Sequence, residues 1–258
     1  VKEWFSNDSN GSLFKPDVWD EFDDDGLRIG SLVFLNSLEE FTTTGGGKKV
    51  ARYRWNWKPR AVNGTANDFS PLFALVDAVN APANGYESAL NGQVDIEVWM
   101  KTFCMNDLAS YWDAFGNPNA KNTYLYKPEN DRWKLMCWDF DVGLGVFNDP
   151  VDQPLFPALN DPAMMRLEAY PAFVRQYWSA LDQALNTFFR TGAGTALDAL
   201  LDAKYAAFQN NGIALTSPSA LKTWISQRRT FLQTQLATVA ASFMVNGTNY
   251  LTTNRNTI

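Results

Sequence analysis

The chain has 258 residues, of which 46% are hydrophobic and 19% charged, a balance typical of a globular protein with one substantial core or two small ones. Its formal net charge of −6 and its isoelectric point near 4.8 argue against a general nucleic-acid binder, which needs a concentrated basic surface. No apolar run approaches the ~20 residues that span a bilayer, so no membrane span is predicted. The basic pairs Lys48-Lys49 and Arg228-Arg229 are isolated, and we expect them to be solvated surface charge.

The sequence contains no histidine. This excludes Ser-His-Asp and Cys-His hydrolases and any zinc site with histidine ligands. Acid–base chemistry must therefore come from carboxylates, Lys, Tyr or Cys. The two cysteines, Cys104 and Cys137, lie among apolar neighbours; we expect buried free thiols, with a disulfide as the alternative.

The first sixty residues are predicted to be irregular, with short strands. Gly11–Phe14 and Leu32–Leu35 are apolar runs of strand length, and Arg52–Trp57 alternates with a period of two. The run Gly45–Lys48 invites comparison with a phosphate-binding loop. It lacks the full spacing of that loop and no apolar helix follows it, so a hairpin turn is the better interpretation.

From residue 67 onward the spacing of the hydrophobic residues becomes helical. Asn67 or Asp68 is predicted to cap a helix that reaches Val79. Asp95 opens a longer segment in which apolar residues recur every three or four positions. This second helix is predicted to end near residues 113–115.

A β-hairpin is predicted after the long helix. Its strands are Thr123–Lys127 and Trp133–Trp138, and the sequence Pro-Glu-Asn-Asp between them is typical of a turn. A proline-rich loop follows at residues 150–162. Three apolar stripes of helical spacing then predict helices over residues 173–188, 197–208 and 221–243, before a polar tail. The predicted fold class is α+β, mostly α.

Polar side chains are concentrated where the long helix meets the hairpin. Asp113 ends the predicted helix, Asn122 begins the first strand, and Asp139 and Asp141 follow the second strand two residues apart, where an extended chain would point them the same way. Divalent cations that neutralise a triphosphate prefer carboxylate and amide oxygens, and a further carboxylate must orient the attacking hydroxyl. The order of these residues is typical of kinase-type phosphoryl transfer. The alternative is that they only cap turns or lie on the surface.

Several blocks of the sequence resemble the CotH (spore coat protein H) kinase family. The hairpin and the residues after it are similar to the family's hallmark N-Y-Y-L-Y … G-K-W … P-W-D-x-D-x-x-F-G. Further blocks resemble its helix start, its g-N-w-D-S-Y block, its N-P-L-F block and its closing i-x-x-R-R-x-x-L pattern. In chain order the matching blocks are Gln93–Trp99, Leu108–Phe115, Asn122–Lys127, Asp131–Gly145, Gln153–Phe156 and Ile225–Leu232, so the resemblance covers roughly residues 65–240.

The resemblance implies a protein-kinase-like fold with a reduced or incomplete N-terminal lobe. Residues 1–60 would be the β-containing remnant of that lobe. Residues 61–245 would be the helical C-terminal lobe, with a central hairpin at 122–139, and residues 246–258 a polar tail. The resemblance also implies transfer of the ATP γ-phosphate to Ser or Thr of a protein acceptor, with Mg²⁺ or Mn²⁺.

Site residues can be transferred from the family one by one. Asp113 would be the catalytic-loop carboxylate, and Asn122 a metal ligand or positioning residue that also contacts the nucleotide. Asp139 would be the metal-binding aspartate, and Asp141 a second acid beside it.

The chain also departs from the family pattern. The family's N-terminal element R-G-x-S-S…K-K, whose Arg and Lys would contact the phosphates, is not found in residues 1–60. Lys15, Lys58 and the Lys48-Lys49 pair are the substitutes. Either the first strands lie upstream of this chain, or the protein is an inactive kinase-like structural or binding protein of a coat, envelope or cell-surface assembly.

Two further expectations concern location and a third class of function. Three glycosylation sequons, at Asn10, Asn63 and Asn246, favour an exported or cell-surface protein, and the start at Val1 leads us to expect an upstream segment. A carbohydrate-active enzyme with Asp139 and Asp141 as its acid and base fits poorly. Carboxyl groups two residues apart on one strand cannot readily flank a glycosidic bond at the required ~5–9 Å.

Overall fold

The computed structural model describes residues 2–17, 20–31, 36–61, 65, 67–117, 119–157, 161–240, 244–245 and 248–249. Within these residues the elements follow in the order β1 (Ser12–Pro16), β2 (Asp20–Phe22), β3 (Arg28–Ser31), α1 (Val50–Asn56), β4 (Trp57–Ala61), α2 (Ser70–Val79), α3 (Tyr86–Gln93), α4 (Ile96–Leu108), β5 (Thr123–Lys127), β6 (Lys134–Cys137), α5 (Pro162–Ala169), α6 (Pro171–Asn186), α7 (Ala196–Asn210), α8 (Ser219–Ala240), β7 (Met244–Val245) and β8 (Thr248–Asn249). The fold is α+β and dominated by helices, as predicted.

The main sheet has four antiparallel strands in the order β4-β1-β5-β6. β5 and β6 form the predicted hairpin, in which Leu125 lies opposite Leu135. Phe14, Leu125 and Leu135 are buried and belong to the same apolar cluster as the helices, because they lie directly opposite one another on neighbouring strands and so share one face of the sheet. The sheet therefore joins β1 and β4 of the N-terminal region to the β5–β6 hairpin, and this brings the first strand next to the hairpin.

Helix α4 is central to the helical part of the molecule. Asp95 caps it as predicted, since its carboxylate accepts a hydrogen bond from the backbone N–H of Val98. α4 packs against α6, β6 and α8. Its buried side chains include Trp99, Met100 and Phe103, each of which contributes about 1.5–3 kcal/mol through burial. The predicted helices around α2, α6, α7 and α8 are confirmed. In the part of the chain that the structure describes, no helix has both the length and the apolar character needed to cross a membrane.

Three predictions for the N-terminal region have different outcomes. The strand predicted at Gly11–Phe14 corresponds to β1, and the apolar run at 32–35 lies outside the described residues. The prediction of a turn at Gly45–Lys48 is confirmed, because Thr42 forms an antiparallel bridge with Lys48.

The prediction of a strand at Arg52–Trp57 is wrong, since residues 50–56 form α1. Arg52, Tyr53 and Asn56 are buried together, and a helix brings residues at this spacing to one face. The Arg52 guanidinium forms an ion pair with Glu21 and lies 3.7 Å from the centre of the Phe41 ring. These distant partners favour the helix over the local alternation.

The long helix is shorter than predicted, and the short helices α3 and α5 were not predicted. α4 ends at Leu108 because Ser110 adopts a left-handed backbone conformation, with φ of 54°. Asp113 therefore lies in a loop and not at a helix end. α5 begins inside the segment predicted as a proline-rich loop. Pro162 takes a first-turn position and the Asp161 carboxylate caps the helix.

The expectation of solvated surface charge is wrong for Arg228, which is 0% exposed. Its guanidinium donates to backbone carbonyls. Arg229 donates to the backbone carbonyl of Leu185, and Lys48 is half-buried between two carboxylates. A basic pair looks the same in a sequence whether or not the fold supplies acceptors for it.

The two cysteines are free, as predicted. Cys104 is buried on α4 and Cys137 is half-buried at the end of β6. Burial raises the pKa of both thiols, that of Cys137 to about 11, so both are unreactive thiols at neutral pH.

Asp107 lies in the core between α4 and α6. The Tyr177 hydroxyl donates to its carboxylate at 2.6 Å. Burial raises the pKa of Asp107 to about 8, although Tyr177 and the Arg228 guanidinium act in the opposite direction. Burial likewise raises the pKa of Glu168 well above its usual range, and the Asp107 charge raises it further. The core therefore holds carboxyl groups that prefer the neutral form.

This arrangement predicts that the free energy of unfolding falls as the pH rises from 5 to 8. The stabilisation from a raised pKa is fully present below the unfolded value of 3.8 and is lost as the pH passes through the folded value of about 8. Asp107→Asn keeps an acceptor for Tyr177 and removes the titration. We expect the variant to gain on the order of 3–4 kcal/mol relative to the parent between pH 5 and pH 8, measured by urea unfolding at each pH. Parallel pH profiles for the two proteins would contradict this assignment.

Candidate functional site

Asp113 lies in the loop after α4 and is held by two asparagine side chains. Asn122 donates from Nδ2 to Oδ2 at 2.6 Å, and Asn119 donates from Nδ2 to Oδ1. The Asp113 side chain is only 8% exposed. Because each carboxylate oxygen accepts an amide N–H, the carboxylate is fixed in one orientation with lone pairs left for a further partner.

The loop that carries Asp113 is closed by contacts that the local sequence explains. The backbone N–H of Phe115 donates to the Thr123 hydroxyl on β5 at 3.1 Å. Gly116 has φ of +87°, and a Cβ there would lie 2.7 Å from the Phe103 ring. Only glycine fits this turn without displacing the ring. The loop therefore places Asp113 next to the start of the hairpin.

Asp139 and Asp141 follow β6 on an exposed turn. β6 ends at Cys137, Asp139 has a left-handed backbone with φ of 60°, and residues 140–142 form one turn of 3-10 helix. The expectation that the two carboxylates lie on an extended segment is therefore wrong. Both side chains are nevertheless exposed, and neither forms a hydrogen bond or an ion pair within the described residues.

Tyr111 joins this turn to the Asp113 loop. Its hydroxyl donates to the backbone carbonyl of Asp139, and its ring stacks on Phe140 with 4.5 Å between centroids. Burial raises the pKa of Tyr111, its hydrogen bond with Asn122 lowers it, and the nearby carboxylates of Asp113, Asp139 and Asp141 raise it. The hydroxyl therefore stays a neutral donor and fixes the turn beside Asp113.

The charges around Asp113 come from distant parts of the chain. Burial raises the pKa of Asp113. The ammonium groups of Lys121 and Lys15 lower it, and the carboxylates of Asp141 and Asp139 raise it. Lys15 lies on β1, which reaches the site because β1 pairs with β5. Asn122 contacts Asp113 directly, and the charges of Lys15, Asp139 and Asp141 act on its carboxyl, so five of the six residues predicted for the site lie in one region.

Lys58, the sixth predicted site residue, forms an ion pair away from Asp113. It lies directly opposite Lys15 in the sheet, but its ammonium forms an ion pair with Asp17 at 2.8 Å. Arg60 approaches the same carboxylate at 3.6 Å. No ion pair to Lys15 occurs within the described residues. Of the two lysines predicted to bind phosphate, Lys15 is the one that is close enough to Asp113 to affect its pKa.

The side chains can be tested for their fit to a divalent metal. No group of three or more His, Cys, Asp or Glu residues able to hold a metal is found among the described residues. The predicted ligands are two carboxylates, Asp139 and Asp141, and the amide oxygen of Asn122, whose nitrogen is already engaged with Asp113. Mg²⁺ is commonly held by one or two carboxylates together with substrate phosphates. These residues fit a metal shared with a triphosphate better than a closed protein site.

Sequence reasoning missed Asn119, Tyr111 and Lys121. Tyr111 falls inside the segment predicted as the long helix, and Lys121 is a single charge beside Asn122. Asn119 has a second unusual property: within the described residues its Oδ1 atom is buried without a hydrogen-bond partner. The concentration of asparagine at positions 117, 119 and 122 was the signal that could have identified it.

Comparison with known proteins identifies the family to which this chain belongs. A search of curated proteins finds no significant match. The family model described as CotH kinase protein matches residues 2–232. The match includes the first sixty residues, for which the motifs alone gave no resemblance. The match spans most of the 258 residues, so the chain belongs to the CotH kinase protein family.

Proposed function

We propose that this chain is a metal-dependent phosphotransferase that moves the γ-phosphate of ATP to a Ser or Thr hydroxyl of a protein acceptor. The observation that carries the proposal is that Asn122 holds Asp113 and Tyr111 binds the turn of Asp139 and Asp141 beside it, where the charges of Lys15 and Lys121 also act on the Asp113 carboxyl. Kinase-type transfer needs a carboxylate for the acceptor hydroxyl, oxygen ligands for a metal, and cations for the phosphates. The site contains a candidate for each.

The roles follow from exposure and charge. Asp139 and Asp141 are exposed carboxylates and would hold Mg²⁺ or Mn²⁺, with the Asn122 amide oxygen as a further ligand. The metal would neutralise the phosphate oxygens. Lys15 lies on β1 and would contact the phosphates, and in this proposal β1 and β4 would belong to a reduced N-terminal lobe.

Asp113 would orient the acceptor hydroxyl and accept its proton. Asn119 and Asn122 fix the direction of its carboxylate. Burial raises the pKa of Asp113, which makes the carboxylate a stronger base than one on the surface. Tyr111 supports this geometry from the Asp139 side.

The second candidate function is a kinase-like structural or binding protein of a coat, envelope or cell-surface assembly. One observation favours it: Lys58, one of the two lysines predicted to bind phosphate, forms an ion pair with Asp17 instead. The three sequons favour an exported location for either function.

ATP binding is expected to depend on a divalent metal, because the clustered carboxylates repel phosphate unless a cation lies between them. Calorimetry with ATP in Mg²⁺, in Mn²⁺ and in chelator measures this directly. Affinity in chelator equal to that in metal would contradict the proposed site.

A radiolabel transfer assay, with self-phosphorylation or a Ser-rich acceptor, separates the two functions. Metal-dependent binding without transfer would favour the structural protein.

A further inference from the structure

The segment that follows the acidic pair is held by helix α8. We define residues 143–153 as the downstream segment, since it begins directly after Asp139 and Asp141. The indole Nε1 of Trp224, on α8, donates to the backbone carbonyl of Asp149 at 2.9 Å. The contact is part-buried and joins residues 75 positions apart in the chain.

Gly145 shows how closely this segment approaches α8. Its φ is +79°, and a Cβ at this position would lie 2.5 Å from Cδ1 and 2.7 Å from Nε1 of Trp224. Both the backbone conformation and the contact with the indole require glycine. The Leu144-Gly145 step after the acidic pair is therefore shaped by α8 as well as by its own turn.

Arg228 joins the downstream segment to α4. Its Nη1 donates to the backbone carbonyls of Val151 and Gln153 at 3.0 and 2.7 Å. Its Nη2 and Nε donate to the backbone carbonyl of Asp107 at 2.7 and 3.3 Å. Asp107 lies in the last turn of α4, from which the chain continues into the Asp113 loop. A single buried guanidinium thus binds the end of α4, which leads into the Asp113 loop, and the segment that follows Asp139 and Asp141.

Direct contacts between the two segments complete the arrangement. The backbone N–H of Leu144 donates to the carbonyl of Ala109 at 2.6 Å, and the Ser110 hydroxyl donates to Oε1 of Gln153 at 2.6 Å. These bonds lie at the two ends of the downstream segment; Trp224 binds the Asp149 carbonyl between them, and Arg228 binds the carbonyls of Val151 and Gln153. The backbone around Asp113 and the backbone after Asp141 therefore form one unit anchored on α8.

We propose that Arg228 is a positioning residue, which sets the placement of Asp113 relative to Asp139 and Asp141 through backbone carbonyls of both segments. The inference rests on the proposed phosphotransfer function. Arginine is required because its planar fork can donate to three carbonyls at once, whereas a lysine ammonium is a point donor on a flexible stem. In a catalytic site, a displacement of about 1 Å can lower the rate by about 10²-fold.

The test compares Arg228→Lys with Arg229→Lys. The control makes the same chemical change at the next position of α8, where the side chain donates to the Leu185 carbonyl on α6. Rates are measured well below the unfolding transition of each variant and corrected for the folded fraction. We expect Arg228→Lys to lower kcat by on the order of 10–100-fold with the KM for metal–ATP within a few-fold. Arg229→Lys should stay within about twofold of the parent.

A second readout does not depend on phosphate transfer. Amide hydrogen exchange of residues 143–153 should become faster in Arg228→Lys and not in Arg229→Lys, while the core of α6 stays protected in both. If the parent protein transfers no phosphate, the proposed function fails, and local exchange in Arg228→Lys still supports the anchoring of the two segments. Exchange and kcat that match the control would overturn the proposal. A uniform rise in exchange, with activity falling only as the folded fraction falls, would overturn it as well.

A milder variant covers the case in which Arg228→Lys does not fold. Trp224→Phe keeps an aromatic ring against Gly145 and removes the N–H that binds the Asp149 carbonyl. We expect a few-fold loss of kcat with faster exchange in the downstream segment, since one part-buried hydrogen bond is lost. Unchanged kcat and unchanged exchange in this variant would also overturn the proposal.

Discussion

Asp113→Asn is expected to lower phosphotransfer by on the order of 10²–10⁴, the range associated with loss of a general base. The affinity for metal–ATP should stay within a few-fold of the parent, because Asp113 is assigned to the acceptor hydroxyl and not to the metal. The measurements are a radiolabel transfer assay and calorimetric binding of metal–ATP to each protein. Equal losses of binding and transfer would show that Asp113 belongs to the metal site instead.

The structure indicates that this variant keeps its fold. An amide at position 113 presents one N–H₂ group where the carboxylate accepted two hydrogen bonds. Within the described residues Oδ1 of Asn119 is buried without a partner, so rotation of the Asn119 amide by half a turn offers an acceptor to the new N–H. Asn119→Ala is the matched control. It removes one donor to Asp113 but keeps the carboxylate, so its loss of transfer should be clearly smaller.

The helices and the hairpin could be predicted because their signals are local. The stripe through Phe173 and Leu181 recurs at helical spacing because α6 buries one face against α4. The turn residues between β5 and β6 also carry their own conformational preference. The prediction of a strand at Arg52–Trp57 failed because contacts with residues far away in the sequence determine the local structure there. The Arg52 side chain binds Glu21 and packs on Phe41.

Most residues of the candidate site could be predicted from the sequence, but their geometry could not. The order of Asp113, Asn122 and Asp139 is visible in the sequence, whereas the left-handed backbone of Asp139 is not. The choice between Lys15 and Lys58 depends on an ion pair across the sheet with Asp17. A spacing pattern does not contain such information, because it arises only when strands far apart in the sequence pair.

The buried state of Arg228 was unpredictable for the same reason. Its acceptors are backbone carbonyls of Asp107, Val151 and Gln153, and every residue type has a backbone carbonyl. No pattern of side chains in the sequence therefore indicates which carbonyls will accept these hydrogen bonds. The resemblance to the family's closing motif marked the position of Arg228, and only the fold shows that it connects the end of α4 to the downstream segment.

Asp139→Asn is expected to impair both metal–ATP binding and turnover. The change removes the negative charge of a proposed metal ligand and keeps the side-chain shape. Asparagine also tolerates the left-handed backbone that Asp139 adopts, with φ of 60°, so the turn should persist. Loss of a partner outside the ligand shell already lowers metal affinity by about 10–100-fold, and loss of a ligand should cost at least as much. Calorimetry with Mn²⁺ and ATP, beside the transfer assay, measures both effects.

Two matched substitutions test whether the loss in Asp139→Asn comes from the metal site or from a general effect of charge. Asp141→Asn makes the same change on the same turn, and we expect a smaller loss if Asp139 is the essential ligand. Asp25→Asn removes an exposed acid on the β2–β3 turn and should leave binding and transfer unchanged. Equal losses in Asp139→Asn and Asp141→Asn would assign the metal to both carboxylates. Parent-like binding of metal–ATP by Asp139→Asn would remove Asp139 from the metal site, because a charged ligand cannot be neutralised without a change in affinity for the cation it holds.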